Sequence, residues 1–245
     1  MKNYSNTYIF IFSVIMVVVV AVLLSFVAMQ LKPLQELNQE IERKEDILAS
    51  VGEAEDVSDV KDKNAFIEQE FEKYIADSYV VNYSGEIVDR DAFEVTLNIK
   101  EQADKPVGER LYPVFVYTAE DEEAHKYIVP VRGKGLWGPI WGYIAFEPDL
   151  NTIAGAIYDH AKETPGLGAE INTSWFEDEF VGKKIFNEEG EFVSVGVLKS
   201  AETANNPHAV DAISGGTITS DGLDDMLENY LAGYVAHFKE KGIEN

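Results

Sequence analysis

The sequence predicts an α+β protein with one N-terminal transmembrane helix followed by a soluble domain built on a mostly antiparallel sheet. Residues 9–29 form an apolar run interrupted only by two serines. After it, short runs rich in β-branched and aromatic residues alternate with charged or glycine-containing turns, which is typical of strands. Because these runs follow one another and the helical patterns stand apart, a sheet of neighbouring antiparallel strands is expected.

The apolar run is long enough to cross a membrane. Its 21 residues, at about 1.5 Å per helical residue, span roughly the 30 Å of a bilayer's hydrocarbon core. A cleaved signal peptide is the competing interpretation, but its apolar region covers only about 7 to 15 residues. We therefore expect residues 1–32 to form an anchor that contacts lipid through residues 9–29. Basic residues flank both sides, so the positive-inside rule does not decide the orientation.

The rest of the chain divides into a stalk with a linker, residues 33–78, and an α+β domain, residues 79–245. An apolar stripe at Leu34, Leu37, Ile41 and Leu48 predicts that the membrane helix continues as the stalk. Residues 52–62 are acidic and rich in turn formers, and residues 66–75 suggest a second short helix. Strands are predicted at residues 79–83, 93–99, 111–117, 127–131, 142–146 and 192–198. Helices are predicted at residues 150–161 and from Ser220 or Asp221 onward.

Composition excludes several classes of function. The chain has 20 basic and 44 acidic residues, a formal net charge of −24, and the sequence contains no basic patch, so nucleic acid is not an expected partner. Absence of cysteine excludes disulfides, thiolate nucleophiles and cysteine-ligated metal. The four histidines are widely spaced, so no metal site is expected. No nucleophile elbow, P-loop or Rossmann fingerprint occurs, and no catalytic residue is predicted.

One segment has the form of a phosphate site. Residues 211–220, Asp-Ala-Ile-Ser-Gly-Gly-Thr-Ile-Thr-Ser, place a threonine hydroxyl on a glycine turn just before a strongly amphipathic helix. The start of a helix offers unpaired N–H groups and a partial positive charge to an anion. Ser214, Thr219 and Ser220 could instead only turn the chain and cap the helix, which is the common role of such residues.

Three blocks of residues resemble a known family. Asp211, Ser214, Gly215 and Thr217 are similar to the Asp-x-x-(Ser/Thr)-Gly-Ala-Thr motif that flavin transferase modifies, with Gly216 where the family usually has alanine. Residues 163–168, Glu-Thr-Pro-Gly-Leu-Gly, resemble a loop of FMN-binding domains in two respiratory complexes. Residues 133–143, which contain Leu-Trp-Gly-Pro, resemble the sodium-pump version. The chain is thus similar to the covalent FMN-binding family represented by the C subunit of Na⁺-translocating NADH:quinone oxidoreductases.

The resemblance implies a phosphoester between Thr217 and FMN. It implies that the phosphate is held by Ser214, Gly215, Gly216, Thr219 and Ser220. It places the isoalloxazine ring near a second set of residues: Glu163, Thr164, Gly166, Leu167, Gly168, Trp137 and Lys199. The glycines would allow a flat ring to approach the backbone closely.

The resemblance also implies an electron carrier without a complete reaction of its own. Electrons would arrive from a metal centre held by membrane subunits and leave to the flavin of the B subunit, since the cofactor supplies the redox chemistry. Other membrane and flavin subunits, and a flavin transferase, are the implied partners. The implied location is the bacterial inner membrane, with the flavin domain on the outer, periplasmic face. Two alternatives stay open: the G subunit of a related ferredoxin:NAD⁺ oxidoreductase, and a non-redox anchored binding module.

Overall fold

The computed structural model describes residues 5–54, 57, 60–119 and 125–244. Part of the predicted linker at 52–62 lies outside these residues. The chain divides into two units, residues 1–42 and 43–245. The predicted boundaries at 32/33 and 78/79 stay a prediction.

Helix α1 covers Asn6–Ala49 and contains the apolar run. An 18-residue window of it has a mean hydropathy of 3.2, and none of that window is buried. Within the described residues, α1 is the one helix long and apolar enough to cross a membrane. Apolar side chains exposed all round a helical segment, as in this window, are expected where lipid rather than protein surrounds the segment.

Six strands of the second unit form one antiparallel sheet in the order β2-β1-β3-β4-β5-β6. The strands are β1 (Ile75–Val81), β2 (Ile87–Val88), β3 (Tyr112–Thr118), β4 (His125–Lys134), β5 (Pro139–Phe146) and β6 (Ile153–His160). Two further strands, β7 (Gly196–Leu198) and β8 (Ala209–Asp211), pair in parallel with each other. The predicted α+β class is confirmed.

The helices of this unit are α2 (Lys63–Tyr74), α3 (Ala92–Leu97), α4 (Ile99–Ala103), α5 (Ser174–Glu177), α6 (Thr217–Leu231) and α7 (Val235–Glu244). Short 3₁₀ turns occur at Val107–Glu109, Gly168–Asn172 and Asp178–Phe180. A large core packs α6 and α7 against the sheet, and a second core contains Ile47, Val95 and Phe115. Both faces of the sheet are therefore covered.

Two element predictions are wrong. Residues 93–99 belong to helices because Asp91 caps α3, its Oδ1 accepting from the N–H of Glu94 at 2.6 Å. Residues 153–160 form strand β6 because they pair along β5 from Ile140 to Phe146. Ala156 and Tyr158 are buried at the two-residue spacing of a strand, and the register shifts where Ile153 pairs with Phe146. Of the strand predicted at 192–198, only Gly196–Leu198 is one.

The predicted C-terminal helix begins earlier than expected and is divided. α6 starts at Thr217, three residues before Ser220, and ends at Leu231. A Cβ on Gly233 would lie 2.0 Å from Cε1 of the buried Tyr112 ring, so only glycine fits where the chain passes from α6 to α7. Tyr234 follows immediately, and its hydroxyl donates to the carbonyls of Pro113 at 3.0 Å and Pro130 at 3.4 Å.

Candidate functional site

The start of α6 presents a threonine at the protein surface. Gly216 precedes the helix, and Thr217 is its first residue, with an exposed side chain. Gly215 has a φ of +78°, a conformation that favours glycine. Ser214 is exposed as well. The start of α6 therefore offers its first N–H groups next to an exposed threonine, and helix starts of this kind favour anions.

A buried carboxylate joins three segments beside this helix start. Glu163 follows β6 and is only 5% exposed. Its Oε2 accepts from the Thr219 hydroxyl at 2.6 Å, and its Oε1 accepts from the N–H of Trp137 at 2.8 Å. Both oxygens are therefore hydrogen-bonded, as a buried carboxylate requires. Glu163 fixes the loop after β6, the turn between β4 and β5, and the first turn of α6 relative to one another.

Glycines are required on both sides of this carboxylate. A Cβ on Gly168 would lie 2.3 Å from Oγ1 of Thr219 and 2.7 Å from Oε2 of Glu163. A Cβ on Gly135 would lie 2.7 Å from Oε1 of Glu163. Across the loop, a Cβ on Gly216 would come within 3.3 Å of the Gly168 nitrogen. The two predicted blocks, 163–168 and 211–220, are therefore in direct contact.

Exposed apolar side chains come from the same segments as the carboxylate's partners. Leu136 and Trp137 are 45% and 63% exposed, Leu167 is 41% exposed, and Ile218 is 58% exposed. A Cβ on Gly215 would lie 2.8 Å from Cδ2 of Leu167, so this leucine lies over the glycine turn. Apolar side chains beside a helix start suit a ligand with a flat ring and a phosphate.

Comparisons with known proteins give the family. Residues 135–232 match the model of the FMN-binding domain. The C subunit of the Na⁺-translocating NADH-quinone reductase from Haemophilus ducreyi is 31% identical over 92% of this chain and 91% of its own. The chain belongs to this C-subunit family. The same subunit from Neisseria meningitidis serogroup A is 30% identical over 97% of this chain and 94% of its own.

Solved structures agree with this membership. The crystal structure of the C subunit from Parabacteroides distasonis has a TM-score of 0.71 and 41% identity, and covers 85% of this chain and 96% of that one. NqrC from Shewanella oneidensis has a TM-score of 0.68 at 24% identity, covers 84% of this chain and 99% of that one, and supports the fold. The predicted family is confirmed, which decides against the G subunit of the ferredoxin enzyme.

Within the family's FMN-binding segment, the structure gives two predicted phosphate ligands other partners. Thr219 and Ser220 are 1% and 0% exposed. The Thr219 hydroxyl donates to Glu163, and the Ser220 hydroxyl oxygen accepts from the N–H of Ile213 at 3.1 Å. These buried hydrogen bonds hold the loops around the helix start in place and occupy the hydroxyl groups of both residues. Their role as phosphate ligands stays a prediction.

The remaining residues that the resemblance places near the flavin ring lie in the loop after β6 or just after β7. The Thr164 carbonyl accepts from the N–H groups of Leu167 and Ala169, both at 3.1 Å, which closes the turn on which Leu167 lies. Gly166 has a φ of +76° and donates its N–H to Glu170 at 2.9 Å. Lys199 is exposed just after β7. In the described part of the chain, no hydrogen bond or ion pair joins its side chain to the Glu163 loop.

The structure adds three residues to the candidate site and shows the hydrogen bonds of Asp211, which is already part of the 211–220 motif. Gly135, Leu136 and Ile218 belong to the site through the close approaches and exposures above. Asp211 supports the glycine turn: the Thr203 hydroxyl donates to it, and its N–H donates to Glu179 at 2.9 Å. Hydrogen bonds, first from Thr203 and then from Ser200, hold the pKa of Asp211 below its usual value. The exposed Ile218 next to Thr217 was a signal in the sequence, because it lies outside the apolar stripe of α6.

Proposed function

We propose that this chain carries FMN, bound through a phosphoester to Thr217, as an electron-transfer subunit of a Na⁺-translocating NADH-quinone reductase. One observation carries the proposal: Thr217 is the exposed first residue of α6, beside a glycine turn and a loop that Glu163 fixes against the same helix. Membership of the C-subunit family and the match to the FMN-binding domain support it.

The residues at the helix start would hold the phosphate. Esterification replaces a leaving group on phosphorus by the Thr217 oxygen, whose proton is lost, so the chain gains FMN minus water. A flavin transferase would supply the activated FMN group. Gly215 and Gly216 keep side chains away from the phosphate, and the unpaired N–H groups of α6 favour its negative charge. Ser214, three residues before Thr217, offers a further exposed hydroxyl in the same turn.

The exposed apolar side chains would hold the ring. Leu167 and Trp137 flank the segments that Glu163 ties together, and Ile218 extends the apolar surface beside Thr217. Glu163 is buried and acts by positioning these segments. FMN, when bound, supplies the one-electron chemistry, and the protein sets its surroundings. Lys199 is proposed as a ring contact from the family resemblance alone, because no hydrogen bond or ion pair within the described residues joins its side chain to the Glu163 loop.

The wider assignment rests on the family. Electrons would come from a metal centre in membrane subunits and leave to the flavin of the B subunit. α1 would anchor the chain in the bacterial inner membrane through residues 9–29, with residues 79–245 as the FMN-binding domain on the outer face. A reporter fused after Asn245 should then be active only outside the cytoplasm, whereas cytoplasmic activity would reverse this orientation.

Intact mass tests the attachment. Co-expression with a flavin transferase should add on the order of 440 Da, FMN minus water, to the full chain. Thr217→Ala should abolish the addition, and Ser78→Ala, which removes an exposed hydroxyl on β1, should leave it in place. An acid-stable adduct in Thr217→Ala, or peptide mapping to Thr219, would refute the assignment.

A further inference from the structure

A cleft lies along one side of α6, from Gly222 to Tyr230. Its volume is about 720 Å³, and it is bounded by α4, the end of β4, the start of β5 and one side of α6. A volume of roughly 300–1,000 Å³ suits a small-molecule ligand. Its lining includes none of Glu163, Leu167 or Thr217, although Lys134 and Gly138 flank the turn that carries Trp137. The cleft therefore adjoins the proposed flavin site but is lined by other residues.

The cleft is basic although the chain is acidic. Its lining contains four basic side chains, Lys100, Arg110, Arg132 and Lys134, and two acidic ones, Asp104 and Asp225. Four positive and two negative charges leave +2 in a chain whose formal net charge is −24. The four basic residues come from three segments, α4, the chain just before β3 and the end of β4, which is why the sequence shows no basic patch. An excess of positive charge in a concave site attracts anions.

Arg110 is held in place by neutral groups. Its Nε donates to the Lys105 carbonyl at 2.9 Å, and its Nη2 donates to the Ala103 carbonyl at 3.1 Å. The guanidinium carbon also lies 5.5 Å from the centroid of the Tyr230 ring. These contacts fix the side chain without neutralising its charge. A fixed guanidinium binds an anion with less loss of conformational entropy.

Arg132 is half-buried and lacks an ion pair. Across the described residues, no carboxylate lies within salt-bridge distance of it, and its guanidinium makes no hydrogen bond. Burial lowers the pKa of Arg132. The Tyr230 and Asp104 side chains oppose this shift and Arg43 adds to it, so the carboxylate in the cleft offsets the burial only in part. A partly desolvated cation is unfavourable without a counter-charge. An anion in the cleft would supply that charge.

One wall of the cleft is apolar and closely packed. Met226, Pro139 and Tyr230 line it. A Cβ on Gly133 would lie 2.6 Å from Cβ of Met226, and a Cβ on Gly222 would lie 2.3 Å from the Lys134 carbonyl oxygen. Both glycines therefore let α6 approach β4 closely. The wall can contact an apolar body while the guanidinium groups bind its charged end.

We propose that this cleft binds a small organic anion that has a phosphate or carboxylate group and a planar apolar body. Arg132 and Arg110 bind the anionic group, Lys134 and Lys100 add positive charge at the rim, and Met226 and Tyr230 contact the ring. The inference does not depend on flavin at Thr217.

Calorimetric titration of the full chain in non-ionic detergent tests the proposal, with phenyl phosphate as the probe and inorganic phosphate as the same charged group without a ring. We expect phenyl phosphate to bind about tenfold more tightly than phosphate, and both to weaken as salt increases. Arg132→Gln should weaken phenyl phosphate about tenfold or more, and Lys134→Gln, at an exposed position with little risk to folding, by roughly threefold.

Arg90→Gln is the matched control, because it removes the same charge from an exposed arginine that pairs with Glu94 away from the cleft. It should bind phenyl phosphate as the wild type does. Equal loss in Arg90→Gln and Lys134→Gln would assign the effect to overall charge and overturn the proposal. A wild-type chain that does not bind phenyl phosphate would also overturn the proposal. If a polyglutamate peptide binds in its place, the cleft binds an acidic polypeptide rather than a small anion.

Discussion

Helix α6 begins among small and polar residues and leads into large aromatic ones. At its start, Thr219 and Ser220 make buried hydrogen bonds. Glycines occupy the neighbouring positions where a Cβ atom would clash. Beyond its end, Tyr234 and Phe238 stack with ring centroids 5.7 Å apart, and Phe238 meets Phe146 at 5.2 Å. Aromatic burial supplies stability, whereas a glycine-rich polar turn supplies space and directed bonds for a ligand. Substitutions at the two ends should therefore affect different properties.

The largest effect on stability should come from the aromatic end. Phe238 is 2% exposed, and Phe238→Ala should lower the free energy of unfolding by about 3–5 kcal/mol because it leaves a cavity. Chemical denaturation of the full chain measures it. Ile218→Ala, at an exposed position beside Thr217, should change stability by no more than about 0.5 kcal/mol. Equal losses of unfolding free energy in Phe238→Ala and Ile218→Ala would contradict the contrast between the aromatic and the polar end.

A smaller loss is expected at the polar end. Glu163→Gln keeps one acceptor oxygen, so the Trp137 N–H and the Thr219 hydroxyl compete for it, and the variant should lose about 1–3 kcal/mol. Glu170→Gln is the matched control, since Glu170 is only partly buried in the same loop, and should lose about 0.5 kcal/mol or less. If Glu163→Gln is as stable as wild type, the carboxylate does not hold the segments together.

Function should respond to substitutions at exposed positions of the polar end, such as Leu167, where the effect on stability is small. In chains with confirmed FMN content, Leu167→Ala or Thr164→Val should shift a one-electron midpoint potential by roughly 40–90 mV, the equivalent of about 1–2 kcal/mol in one redox state. Leu97→Ala, a 38% exposed leucine on α3, is the control. Wild-type spectra and potentials in both loop variants would mean that the loop does not touch the ring.

The smallest effect concerns pH at the aromatic end. His237 is buried between Tyr79, which it meets at 2.9 Å, and the Gly85 carbonyl, and burial lowers its pKa from 6.5. The unfolded chain therefore takes up the proton first as pH falls, so this stability is complete above about pH 6.5 and is lost below it. Thermal unfolding at pH 7.5 and 5.5 should show a smaller acid-induced loss in His237→Gln than in wild type. An equal loss would exclude His237 as a cause.

Sequence reasoning succeeded where one strong pattern dominated. The uncharged run in α1, the period of α6 and the strands at 111–117, 127–131 and 142–146 all have local signals that tertiary packing reinforces. It failed at residues 93–99 because β-branched residues outweighed the Asp91 and Glu94 capping signal. It failed at 150–161 because pairing with β5, a contact between two segments, decided the conformation.

The sequence by itself determined the family and the position of Thr217 near the start of a helix, because these depend on residues close together in the chain. Only the tertiary structure decided that Glu163 joins Trp137 to Thr219, that Thr219 is buried while Thr217 is exposed, and that basic residues meet in one cleft. These features depend on side chains from distant segments. Their distances are set by how the sheet, its loops and α6 pack, which no local pattern encodes.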